Sequence, residues 1–87
     1  MGIIGGEVEQ LTALKATIDR QSGLVQELML AIRRQLDATN WQGPNADRFR
    51  SSWAEEYEPV LRRLEQALID AGGEVSHARD RLIQAGS

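Results

Sequence analysis

Apolar residues return along this chain in steps of three, four and seven, and they do so in two long blocks. In the first block Leu11, Leu14, Ile18, Val25, Leu28, Ile32 and Leu36 share one helix face, while Lys15, Asp19, Arg33, Arg34 and Asp37 occupy the others. The spacing predicts a helix over about 7–38. Gly23 interrupts it, at a cost of roughly 1 kcal/mol relative to alanine. Ile18 and Val25 nonetheless stay seven apart across the glycine, so one continuous helix is expected.

Polar and turn-forming residues then break the pattern at Thr39-Asn40-Trp41-Gln42-Gly43-Pro44-Asn45. Asn40 is a candidate left-handed residue at the helix end. Gly43 suits an N-cap, with Pro44 at the first helical position, where its missing N–H does no harm. Asp47 falls in the first turn, where its charge complements the helix dipole.

In the second block Ala46, Phe49, Trp53 and Val60 form a stripe that Leu61, Leu64, Leu68, Ala71, Val75, Ala78 and Leu82 continue. This predicts a helix over about 44–84, following a turn at 39–43. The stripe steps forward by one residue near Pro59, so a kink or local loosening is expected there. Gly72-Gly73 is a second soft spot, but Leu68, Ala71, Val75 and Ala78 hold their phase across it. Glu58 and Arg62 make an i,i+4 pair, read as lying on the solvent side.

At about 1.5 Å per residue the helices span roughly 48 and 60 Å, and so short a turn makes them an antiparallel hairpin. A hairpin has one seam. Val8 and Met29 flank the first stripe, and Tyr57 and Leu61 the second, so each apolar face is wider than one neighbour can cover. The uncovered remainder is a candidate interaction surface. A second hairpin packed on it would give an all-α four-helix bundle dimer.

Composition narrows the function classes. The chain has 87 residues, 41% hydrophobic and 26% charged, which is one small globular domain. Such a length has difficulty burying a core alone. Ten Lys and Arg against 13 Asp and Glu give a net charge of −3. That balance argues against nucleic acid and against a basic helix lying on a membrane. Without cysteine there is no disulfide, cluster or thiolate zinc site. The opening Met-Gly-Ile-Ile-Gly-Gly has no basic stretch and no long apolar run, so no cleavable signal peptide is expected. Gly6 stands where the myristoylation pattern needs Ser or Thr, and no apolar run reaches the length of a membrane span.

Candidate chemistry is sparse. His77 with Glu74 or Asp80 lacks a second histidine, and a surface or interface histidine is the better reading. Glu55, Glu56 and Glu58 suggest paired carboxylates, but adjacent helical residues point in different directions, and a solvated acidic face is expected. Phe49, Trp53 and Tyr57 at i, i+4 and i+8 are read as helix packing rather than a ligand-stacking ladder. Gly2, Gly5 and Gly6 precede no strand and form no phosphate loop. No catalytic residue, metal or cofactor is predicted. Trp41-Gln42-Gly43 has a structural reading, in which the indole covers the bundle end and the glycine supplies a backbone conformation free of Cβ clash.

Trp41-x-Gly43 between two amphipathic helices, followed by Ala46, Phe49 and Trp53, resembles the WXG (ESAT-like, Esx) family of small proteins handled by bacterial type VII secretion. The resemblance covers essentially the whole chain. It implies a non-enzymatic protein made in the bacterial cytoplasm and exported without a cleaved leader, acting as a dimer with itself or a paired WXG-type protein. It also implies contact with the type VII secretion ATPase, in which Trp41 and Gly43 form part of the recognised surface. The predicted core and dimer interface comprises Leu11, Leu14, Ile18, Val25, Leu28, Ile32, Leu36, Phe49, Trp53, Val60, Leu61, Leu64, Leu68, Val75 and Leu82. One departure is the missing Tyr-x-x-x-Asp/Glu export signal: Leu61 lies four residues after Tyr57, and Val75–Arg81 has no tyrosine. A partner supplying that signal accommodates the departure, as would a native chain longer at its C-terminus. The alternatives are a helical interaction or chaperone-like module unrelated to secretion, the N-terminal targeting region of a larger effector, and a membrane-active helical pair, which the net charge disfavours.

Overall fold

The computed structural model describes residues 2–86, with side chains from residue 6 onward. Every regular element among these residues is helical. Helix α1 spans Gly2–Ala38, α2 spans Pro44–Ser52, and α3 spans Glu58–Gly86. A π-helical turn, Trp53–Tyr57, joins α2 to α3 without a loop, and Ser52, Trp53 and Glu58 all hold right-handed helical conformations. As the register predicts, α1 passes Gly23 unbroken. It begins at Gly2, several residues before the expected start, and α3 likewise continues to Gly86.

The end of α1 differs from expectation. Asn40 is not left-handed; the single positive φ among the described residues belongs to Gly43. Instead the Thr39 N–H donates to the Leu36 carbonyl at 3.2 Å, and its hydroxyl donates to the Gln35 carbonyl at 2.6 Å. These bonds satisfy terminal carbonyls that a left-handed cap would otherwise serve.

The irregularity expected near Pro59 is the π turn that precedes it. There the Glu58 N–H reaches back five residues to the Trp53 carbonyl. Pro59 has no N–H to continue an ordinary four-residue ladder, and the wider turn absorbs one extra residue. On the covered side, Ala46, Arg50 and Trp53 keep steps of four and three. The next buried residue is Glu58, five further on.

Two contacts set the direction of packing. Arg33 on α1 meets Glu58 at the start of α3, and Ile18 lies against Gly72. Rising numbers on α3 therefore meet falling numbers on α1, and the rods lie side by side in opposite senses. The α1 seam is Leu11, Lys15, Ile18, Ser22, Val25, Met29, Ile32 and Leu36. The α3 seam is Glu58, Leu61, Glu65, Leu68, Gly72, Val75, Arg79 and Leu82. Steps alternate between three and four on both, averaging the 3.5 of a coiled-coil contact. Gly72 permits close approach: a Cβ there would lie 3.1 Å from Asp19 Oδ1 and 3.4 Å from Lys15 Cδ, the two side chains joined as an ion pair.

This seam is a thin core. Among the described residues only Val25, Met29, Ala46 and Trp53 are buried hydrophobics, and no large side chain is wholly enclosed. The molecule measures 65 × 18 × 12 Å and exposes 6,390 Å². A compact monomer of its mass exposes about 5,100 Å², so roughly 1,300 Å² more surface meets water than compact packing leaves.

Candidate interaction surface

The turn is built around Gly43. Its φ of 110° and ψ of 177° lie in a region that is essentially restricted to glycine. The Gly43 carbonyl accepts the Asp47 N–H at 3.0 Å, opening α2, with Pro44 in the first turn as predicted. Ala46, three residues on, is 0% exposed. Trp41 leaves 41% of its surface in water and packs against Phe49, ring centroids 5.8 Å apart and tilted by 45°. Arg50 reaches back from α2 and donates to the Trp41 carbonyl at 2.7 Å and the Thr39 carbonyl at 3.1 Å.

The π turn reorients the aromatic series. Trp53 is buried against the rods, 8% exposed, whereas Tyr57 is turned outward, its ring centroid 6.4 Å from that of Trp53. Phe49 contacts Trp41, so the three aromatics at i, i+4 and i+8 do not make one ladder. Without the extra residue, a step of four from Trp53 would carry Tyr57 into the seam. Glu58 takes that place instead.

Beside the seam lies an uncovered apolar face. In an antiparallel pair, positions one residue before each seam site on facing helices fall on a common side. Here they set Leu24 and Leu28 of α1 beside Val60 and Leu64, with Tyr57 and Leu14 farther along the same side in either direction, all between 45 and 51% exposed. The predicted stripe thus divides between two surfaces. Leu11, Ile18, Val25, Ile32, Leu36, Leu61, Leu68, Val75 and Leu82 join the seam, with Trp53 below it. Leu14, Leu28, Val60 and Leu64 belong to the outward face, and Phe49 to the turn cluster. Leu24 was outside the predicted stripe, although its step of four to Leu28 was legible.

The opposite side of the seam is polar around Glu58, with Leu30, Ile69 and Ile83 exposed farther along it. Glu58 is buried, which corrects its expected place on the solvent side. Arg33 Nε donates to Glu58 Oε2 at 3.2 Å while the Arg33 terminal nitrogen grips Oε1, and Arg62 donates to Oε1 at 3.2 Å. The Arg33 hydrogen bond holds the Glu58 carboxyl below its ordinary range; burial opposes this, and the Trp53 indole, Arg33 charge and Arg62 add to it. Arg33 is correspondingly raised, first by its bond to Glu58. The Trp53 Nε1 is buried without a hydrogen bond of ordinary geometry, so its influence on Glu58 is that of a nearby dipole. Gln26, Met29, Leu30, Arg33, Arg62 and Glu65 line a shallow open groove here of about 220 Å³.

Other candidates remain apart. Glu55, Glu56 and His77 are exposed. Among the described residues no three His, Asp or Glu side chains gather as a metal site, and no helix is long and apolar enough to cross a membrane. Sequence reasoning missed Arg50, whose role needs the turn to fold back, and the burial of Ser22 and Glu58, whose polarity hides it. Compared with known families, curated proteins and solved structures, the chain matches none.

Proposed function

We propose that this chain is a WXG-type helical hairpin that acts by protein–protein association, without catalysis, as a small substrate or substrate partner of bacterial type VII secretion. The observation that carries the association is the uncovered face of Leu14, Leu24, Leu28, Tyr57, Val60 and Leu64. Exposed apolar residues collected on one side of a small protein in this way mark an interaction site. The roughly 1,300 Å² of excess surface is on the scale of the ~800 Å² that each partner contributes to a standard interface. A second hairpin, from this chain or a paired homologue, would cover it as a four-helix bundle.

The secretion reading rests on the Trp41-Gln42-Gly43 turn. Gly43 occupies a glycine-only conformation, and Trp41 remains half in solvent rather than sealing the molecule's end. In this reading Trp41 contacts the secretion ATPase, the partner supplies the missing tyrosine signal, and the assembled dimer leaves the cell without a cleaved leader. Export assays in a type VII-competent bacterium test it. Trp41→Ala is expected to keep its helicity by circular dichroism while export falls; export at the wild-type level would remove the recognition role and leave an association module unrelated to secretion.

A further inference from the structure

Thr39 is bonded back to α1 at the Leu36 and Gln35 carbonyls, but the Trp41 main chain beyond it has to be held by something other than its own helix. The last turn of α1 carries no basic residue, while Asp37 sits there unfavourably at the negative end of the helix dipole. Past Ala38 the chain has no regular structure until Pro44. The Trp41 N–H does bond the Thr39 carbonyl at 3.0 Å, but that local bond ties the turn to itself and not to the rest of the molecule.

Arg50 makes that tie. One guanidinium carries both bonds, to the Trp41 carbonyl at 2.7 Å and the Thr39 carbonyl at 3.1 Å, from nine and eleven residues away. Its planar fork matches two acceptors at once, which the single point of a lysine ammonium does not. Through the Thr39 carbonyl its charge also stands one residue past the end of α1, supplying from α2 a cation near the negative end of a dipole whose last turn has none. The preceding residue, Phe49, packs on the Trp41 ring. Two consecutive residues of α2 therefore hold the Trp41 main chain and its indole.

We propose that Arg50 is a positioning residue that locks the turn onto α2 and presents the half-exposed Trp41 indole in one preset orientation. A side chain ordered before contact loses less conformational freedom on docking than one presented by a loose loop. The clamp is a property of the free protein; that the presented indole meets the secretion machinery rests on the function proposed above.

Time-resolved fluorescence anisotropy tests the clamp. In a Trp53→Phe background Trp41 is the sole tryptophan, and its emission is expected to decay with the tumbling of the whole molecule. Adding Arg50→Ala is expected to introduce a fast nanosecond component and to raise quenching by acrylamide, with far-UV helicity unchanged. Arg50→Lys, which keeps the charge but not the fork, is expected to recover only part of the ordering. An unchanged anisotropy decay in Arg50→Ala would overturn the proposal, as would full recovery in Arg50→Lys, which would reduce the contact to charge alone. Export of Arg50→Ala separates the two claims: loss of ordering with undiminished export leaves the clamp standing and defeats the secretion reading of Trp41.

Discussion

Glu58 closes a run of three glutamates around a tyrosine, and nothing in that run of charge marks it as the buried one. The π turn and Arg33 decide it. Because its folded carboxyl is held below the ordinary value of about 4.5, the ion cluster contributes stability above that pH, and the contribution is lost as pH falls from there through the folded value. Thermal melts from pH 7 to pH 3 should show Glu58→Gln melting below wild type at neutral pH, with the gap closing in acid; a gap independent of pH would refute the linkage. Gly43 is the other residue whose identity is dictated by backbone. Gly43→Ala is expected to cost about 1–3 kcal/mol in urea denaturation, since φ of 110° places a Cβ in strain although open space surrounds it.

At the scale of elements, the glycines inside the helices are not equivalent. A Cβ at Gly23 or Gly73 would meet nothing within 4 Å, whereas one at Gly72 would press on the Asp19 carboxylate. Gly23→Ala and Gly73→Ala should therefore each stabilise by roughly 0.5–1 kcal/mol through helix propensity. Gly72→Ala should gain less or lose, because Asp19 must shift and disturb its pair with Lys15. Urea midpoints of the three variants give the ranking, and equal gains at all three positions would mean that the seam at Gly72 is looser than drawn. The π turn has a comparable positional role: one added residue sends Tyr57 outward and Glu58 inward, so the register of α2 is carried into α3 with a rotation.

At the scale of the whole molecule, two rods joined by one thin seam in a body 65 Å long leave more surface in water than a compact protein of this mass ordinarily shows. Its two flanks are chemically different, one apolar through Leu28 and Leu64, the other polar around Arg33, Glu58 and Arg62. If the apolar flank is the association surface, Leu28→Asp should lower association at least about tenfold, a change of ~1.4 kcal/mol or more. Leu30→Asp, on the groove side, should leave it unchanged. Light-scattering mass across a concentration series reads both, and equal effects from the two variants would discard the apolar face as the interface.

The sequence by itself determined that the chain is helical, that α1 continues through Gly23, that the break falls before Pro44, and that the stripe shifts near Pro59. These are local matters of periodicity, capping and missing donors, and they need no knowledge of what lies alongside. It also marked nearly every apolar residue of both surfaces, but read them as single stripes. Tertiary structure divided them, because seam positions and outward positions differ by only one residue and are separated only when the facing helix is in place. For the same reason Glu58 and Ser22 were illegible as buried groups: polarity predicts exposure until a specific neighbour, such as Arg33 across the seam, compensates the loss of water. Arg50 is the clearest case. Its two carbonyl partners are nine and eleven residues away in sequence, and only the folding back of the turn brings them within reach of one guanidinium.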